Sequence, residues 1–139
     1  MPQVLGWREL AEYSWTGTIR KNVTATAAGN TTVWTPAAGK KFHLLGYYIE
    51  VNGHITTAAG GLLTIDLNDS GTSLNQTHSV FVPATGAVST TNNPTLLTHV
   101  DFPLGYGYLS AAANNLLQIN LSAVLTNGQV QIKAVGIEE

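Results

Sequence analysis

The chain has 139 residues, is 44% hydrophobic but only 10% charged, and contains no cysteine. A chain of this length can bury about two-thirds of the surface exposed by its unfolded form, which predicts one domain with its own core. The missing cysteines exclude a disulfide framework and a thiolate zinc site. A formal net charge of −2 gives no field to attract a phosphate backbone, so we do not expect nucleic acid as a partner.

Uncharged polar residues take the place of the missing ionic ones. Thr, Asn and Ser together number 36, whereas charged residues make up 10% of the chain against about 25% in an average protein. No apolar stretch approaches the ~20 residues that span a bilayer, and residues 1–10 lack a basic start followed by an apolar run. We therefore expect a soluble, unprocessed protein whose surface is built from hydroxyl and amide groups.

The first 16 residues do not follow the pattern of the rest of the chain. They hold two of the three tryptophans among Arg8, Glu9 and Glu12, a mixture compatible with one helical turn or with an extended arm. Large apolar side chains left in water are rare on soluble proteins, so we expect the arm to dock on a surface, preferentially that of another subunit. The predicted partner-interface residues are Leu5, Trp7, Leu10, Tyr13 and Trp15.

Alternation of apolar and polar residues with period two dominates the remaining chain and predicts β-strands with one buried face. Strands are predicted at residues 18–27, 31–35, 41–51, 63–67, 79–82, 95–100 and 106–110, with glycine, proline and asparagine turns between them. We expect Trp34 in the core, and Tyr47 and Tyr48 on opposite faces of their strand. Residues 83–94, which are small and polar, predict an exposed or partner-contacting loop.

The clearest local pattern lies at residues 116–135. Leu117, Ile119 and Leu121 alternate with polar residues, Val130, Ile132 and Ala134 do the same, and Asn127-Gly128 stands between the two runs. Asn and Gly tolerate the positive φ of a type I′ turn, so this segment predicts a β-hairpin. Eight or nine short strands in one small domain favour an all-β sandwich or a closed barrel.

Few residues of the sequence form a pattern that predicts catalysis or metal binding. The run Asp66 to Gly71 superficially resembles a calcium loop, but it lacks the later bidentate acid of an EF-hand, and a plain turn explains it. The four histidines, His43, His54, His78 and His99, show no paired metal-ligand spacing, and no Gly-x-Ser-x-Gly elbow is present. We predict no catalytic, cofactor-binding or metal-binding residue, and hence no enzyme.

Two segments carry a resemblance to a known family. Residues 35–51 read TPAAGKKFHLLGYYIEV and residues 109–123 read LSAAANNLLQINLSA. In both segments a turn of small residues leads into a strand. In this pattern, residues 18–137 resemble small jelly-roll virion proteins of tailed bacteriophages, and most of all capsid decoration or cement proteins. The resemblance implies a single-domain antiparallel β-sandwich of about eight strands at residues 17–139, preceded by an arm at residues 1–16.

The resemblance also implies a function. It suggests a homo-oligomer, commonly a trimer, that is made in the host cytoplasm and binds major capsid protein on the outer surface of the virion, without a cofactor. The alternative is a receptor- or carbohydrate-binding module of a tail fibre or an adhesin, because the same sandwich presents loops that can hold sugars. Exposed tyrosine or tryptophan grouped with asparagine and aspartate would favour the alternative.

Overall fold

The computed structural model describes residues 18–55, 61–82, 94–102 and 107–139. These residues form nine strands and no helix, and so include no helix that could cross a membrane. The strands are β1 Ile19–Ala25, β2 Gly29–Trp34, β3 Phe42–Ile55, β4 Gly61–Asp69, β5 Thr72–Val82, β6 Pro94–Asp101, β7 Tyr108–Leu109, β8 Leu117–Leu121 and β9 Leu125–Glu138. The predicted arm at residues 1–16 lies outside the described residues.

The strands build two antiparallel sheets that pack face to face. Sheet A has the order β1-β9-β3-β6, with β7 paired to the start of β3, and sheet B has the order β2-β8-β4-β5. Apart from the β4–β5 hairpin and the small β7, consecutive strands lie in opposite sheets, which is the arrangement of a jelly roll. The predicted antiparallel sandwich is confirmed, with nine strands.

Period-two burial explains why these residues form strands. In β8 the residues Leu117, Ile119 and Leu121 are buried, whereas Gln118 and Asn120 between them are partly exposed. The same alternation in both sheets turns their apolar faces toward one shared core. The largest fully buried side chains are Trp34, Tyr47, Phe42, Leu44, Ile49, Leu63, Ile65, Leu67, Leu117, Ile119, Leu121 and Ile132. The core position predicted for Trp34 is therefore confirmed.

Three aromatic residues connect the sheets through their polar atoms. Trp34 Nε1 of sheet B donates to Glu138 Oε1 of sheet A over 3.0 Å. The Tyr47 hydroxyl of sheet A lies 3.0 Å from Gln76 Oε1 and 2.7 Å from His78 Nε2, both of sheet B. The Tyr108 hydroxyl of sheet A donates to Asp69 Oδ2 of sheet B over 2.8 Å.

The predicted hairpin at residues 116–135 is wrong. β8 pairs with β2 and β4 in sheet B, whereas β9 pairs with β1 and β3 in sheet A. The chain passes between the sheets at residues 122–124, where Ser122 N donates to Thr64 O and Leu125 N donates to Thr26 O. Asn127 and Gly128, predicted to form the turn, lie inside β9 instead.

Gly128 belongs to an irregular part of the β3–β9 ladder. The pairing shifts register between Asn52 and His54 of β3, directly opposite this part of β9. A Cβ atom on Gly128 would collide with the carbonyl oxygen of Asn52 and the Cα of Gly53. Glycine here allows two backbones to approach at a bulge, which is the other common use of glycine in a strand. Asn52-Gly53 follows the strand predicted at residues 41–51, where the sequence predicts an asparagine-glycine turn, but it likewise lies within a strand, β3.

We expect Gly128→Ala to destabilise the fold by about 1–3 kcal/mol, the usual cost of forcing backbone shifts in a packed site. The free energy of unfolding measured by urea titration checks this value. A variant as stable as the wild type would show that β3 and β9 do not approach this closely.

Candidate partner interface

Three of the four histidines make separate contacts within the fold. His43 Nδ1 lies 2.6 Å from Glu139 Oε1, His78 contacts Tyr47, and His99 Nε2 lies 3.0 Å from Asp101 Oδ1. Within the ranges that the structure describes, no three His, Asp or Glu side chains gather in a group that could hold a metal ion.

The segment from Asp66 to Gly71 forms a strand end and a tight turn, so the prediction of a plain turn is confirmed. β4 ends at Asp69, β5 begins at Thr72, and the two residues between them have positive φ, 46° at Ser70 and 89° at Gly71. This is the conformation of a type I′ hairpin turn. The Asp66 carboxylate accepts hydrogen bonds from Ser73 and Thr77 of the facing strand.

Asp69 has a structural role that the sequence did not predict. Its side chain is buried, and Oδ2 accepts hydrogen bonds from the Tyr108 hydroxyl at 2.8 Å and from the Ala111 backbone N–H at 2.7 Å. Burial, and then the bond and charge of Asp69, raise the pKa of Tyr108 to about 12. The carboxylate thus anchors the segment around β7 to the end of β4 in the opposite sheet.

Asp69→Ala leaves two donors without their acceptor, and we expect it to lower the free energy of unfolding by about 2–4 kcal/mol. Tyr108→Phe removes one donor and should lower the free energy of unfolding by about 1–2 kcal/mol. The double variant should lose less stability than the two single variants added together, because both changes remove the same hydrogen bond.

Tyr48→Phe is the matched control, because its hydroxyl lies 3.5 Å from Glu50 Oε2 on the outer face of sheet A. We expect it to change stability by less than about 0.5 kcal/mol. Chemical denaturation of the four variants gives the comparison, and strictly additive losses for Asp69 and Tyr108 would contradict the bond.

Tyr47 of β3 in sheet A and His78 of the edge strand β5 in sheet B contact each other across the sandwich. The Tyr47 hydroxyl donates its single proton to Gln76, so His78 donates to the hydroxyl oxygen from Nε2. Burial raises the pKa of Tyr47 to about 12 and lowers the pKa of His78. The folded protein therefore favours neutral forms of both side chains.

The lowered pKa of His78 makes stability depend on pH. Between its folded pKa and the unfolded value near 6.5, the unfolded chain binds more protons, so stability falls as pH decreases through this window. We expect His78→Gln to lose less stability than the wild type between pH 7 and pH 5. His99→Gln, at an exposed site, is the control. Equal pH slopes for wild type and His78→Gln in urea titrations would refute the prediction.

The outer face of sheet B is almost free of charge. Asn30, Asn120, Asp66 and Thr77 face one another in one row across its four strands, and Asn120 Nδ2 donates to Asn30 Oδ1 over 2.7 Å. Such a surface can approach another protein with little charge desolvation.

One end of this face carries two exposed apolar residues, which we call the apolar end patch: Leu62 and Phe81. Leu62 and Phe81 are direct cross-strand partners with 62% and 63% of their surface exposed. Sequence reasoning missed this patch. The available signal was that Leu62-Leu63 and Val80-Phe81-Val82 cannot all point inward in a strand.

The patch adjoins the least protected edge of the sandwich. β5 is an edge strand with 11 residues and contains no charged residue and no proline. Its pairing with β4 shifts register between Ser73 and Thr77, where Asn75 has a positive φ, and is regular from Thr77 to Val82. The other edges carry Arg20 and Lys21 on β1, Pro94 and Asp101 on β6, and a register shift in the short β2. Soluble proteins usually guard an edge by charge, proline or distortion, so the regular part of β5, Thr77–Val82, has the features of a strand that a partner covers.

The five residues predicted to contact a partner, Leu5, Trp7, Leu10, Tyr13 and Trp15, all lie outside the described residues. Their role stays a prediction.

Comparison with known proteins adds little. No protein-family model matches the sequence, and no curated protein matches it. A chain of the cyanophage Pam1 capsid asymmetric unit aligns with 18% identity and a TM-score of 0.46 over 86% of this chain and 83% of that one. A chain of the virus-like particle of extra small virus from the prawn Macrobrachium rosenbergii aligns with 15% identity and a TM-score of 0.36 over 100% and 88%. Neither score is high enough to establish a relationship.

Proposed function

We propose that this chain is a structural virion protein, a decoration or cement protein that binds the outer surface of a phage capsid. One observation carries the proposal: the apolar end patch lies beside a long edge strand that lacks charged residues. A jelly roll that exposes such a surface gains free energy by packing against other subunits. The family resemblance of residues 35–51 and 109–123 suggests what those subunits are, namely copies of itself in a trimer and the major capsid protein.

The mechanism requires no bond chemistry. A protein that binds only the assembled shell shifts the equilibrium toward that shell by mass action, by about 2.7 kcal/mol per site at a free concentration 100-fold above Kd. Each subunit that contacts two neighbouring capsid proteins therefore resists their separation. The arm residues Leu5, Trp7 and Trp15 would add apolar anchors of the kind that dominate binding energy at interfaces.

We expect Phe81→Ser to weaken binding to purified shells at least tenfold while leaving the free energy of unfolding within about 0.5 kcal/mol, because Phe81 is exposed in the isolated subunit. Leu109→Ser is the matched control, since Leu109 is an exposed apolar residue (41%) on β7 rather than in the patch. Removing residues 1–16 should weaken binding as well.

Co-sedimentation with shells, at increasing protein concentration, measures the affinity. Equal affinities for wild type, Phe81→Ser and the arm deletion would refute the roles given to the patch and the arm, and no binding by the wild type would refute the decoration function.

A second candidate function rests on the outer face of sheet A. Tyr48, Glu50 and Asn52 are alternate residues of β3 on that face, Asn52 Nδ2 donates to Glu50 Oε1 over 3.0 Å, and Lys133 Nζ lies 5.7 Å from the centre of the Tyr48 ring. An aromatic ring beside amide and carboxylate groups is a common surface for sugars. Binding on a glycan array that Tyr48→Ala abolishes would favour this carbohydrate-binding module over the decoration protein.

A further inference from the structure

We infer that copies of this chain associate head to tail, with the β1/β2 side of one sandwich against the β5/β6 side of the next. At the β1/β2 side, the edge strand β1 of sheet A lies next to the edge strand β2 of sheet B. At the opposite side of the sandwich, the β5/β6 side, the edge strand β6 of sheet A lies next to the edge strand β5 of sheet B. This inference rests on the proposed function, and specifically on the proposal that the protein is a homo-oligomer.

Strand direction permits this contact in both sheets. Each pair of neighbours in the order β1-β9-β3-β6 is antiparallel, so β1 and β6 run in opposite directions, and the same holds for β2 and β5 in sheet B. A copy placed beside another without being inverted therefore brings antiparallel edges together. Antiparallel edges can continue a sheet or pack side by side.

The charges on the edges match in this arrangement. The β1 edge carries Arg20 and Lys21, and the β6 edge carries Asp101, whose side chain is 75% exposed. Both Arg20 and Asp101 also interact within their own subunit, Asp101 with His99 of the same strand. Arg20 pairs with Val135, Val135 with Gly46, and Gly46 with Asp101, so the two charges occupy one row at opposite edges of sheet A. A head-to-tail neighbour in the same register places Arg20 of one copy beside Asp101 of the next. In sheet B both edge strands, β2 and β5, are free of charged residues.

A two-fold contact would match the charges poorly. Pairing β1 with β1 brings together two edges that each carry Arg20 and Lys21, and pairing β6 with β6 brings together two edges whose only carboxylate is Asp101. Charge complementarity selects partners and register at interfaces, so the head-to-tail contact is favoured. Such a contact closes into a ring, or else continues as a filament. It also covers β5, the edge that the fold leaves least protected.

Charge reversal tests the contact. We expect Arg20→Asp and Asp101→Arg each to raise the dissociation constant of the oligomer at least tenfold, and the double variant to return within about threefold of the wild type. Lys40→Asp, in the exposed turn before β3, is the control for a change of charge alone and should have no effect. Light-scattering mass against concentration gives the constants. Failure of the double variant to recover, or a monomeric wild type, would overturn the inference.

Cysteine cross-linking gives a second test that does not depend on charge, because the native chain has no cysteine. Within one sandwich the Arg20 and Asp101 positions are three strand spacings apart, about 14 Å, beyond the reach of a disulfide. Under oxidation, an equimolar mixture of Arg20→Cys and Asp101→Cys should form a covalent dimer of one variant with the other. Dimers of a single variant instead would show a two-fold contact and refute the inference.

Shell binding, measured separately, distinguishes the two proposals. An oligomer that passes both tests but does not sediment with shells keeps the head-to-tail contact and removes the decoration function. A protein that sediments with shells but fails the charge and cysteine tests keeps the function and removes the contact.

Discussion

The fold depends on one constraint: large aromatic side chains must fill the space between two sheets while their polar atoms still find partners. Trp34, Tyr47 and Tyr108 satisfy it in the same way, each placing its ring on the core side and its N–H or O–H against a residue of the opposite sheet. A buried donor without a partner costs about 1–3 kcal/mol, so these bonds fix where one sheet lies on the other. Packing alone is less directional.

The same constraint explains why the interior offers little chemistry. Asp69 and His78, which could act as ligands or bases elsewhere, are here the partners of Tyr108 and Tyr47. The described groups left to contact other molecules lie on the outer faces, at the edges and in the apolar end patch. Their character is hydroxyl, amide and apolar, with opposite charges at the two edges of sheet A. This distribution suits a protein that works through its interfaces, as we propose.

Much of the fold could be predicted because period two is a local property. The alternation in β4 and β8, the burial of Trp34 and the turn at Ser70-Gly71 all follow from neighbouring residues. For the interface, the composition predicted only that a partner would cover the sparsely charged surface. The pairing of Leu62 with Phe81 depends on the register of β4 against β5, and the row that joins Arg20 to Asp101 depends on three successive strand pairings. Neither can be derived from the alternation within one strand.

The sequence by itself determined that this chain is an all-β protein, where most strands lie and that its surface is sparsely charged, because these properties follow from residue type and short-range order. Only the tertiary structure decided the sheet to which each strand belongs. Asn127-Gly128 shows the difference: the dipeptide accepts either a turn or a close backbone approach, and the facing Asn52 and Gly53 of β3 select the second. The chain crosses from sheet B to sheet A at residues 122–124, before it reaches Gly128. β8 and β9 therefore lie in opposite sheets.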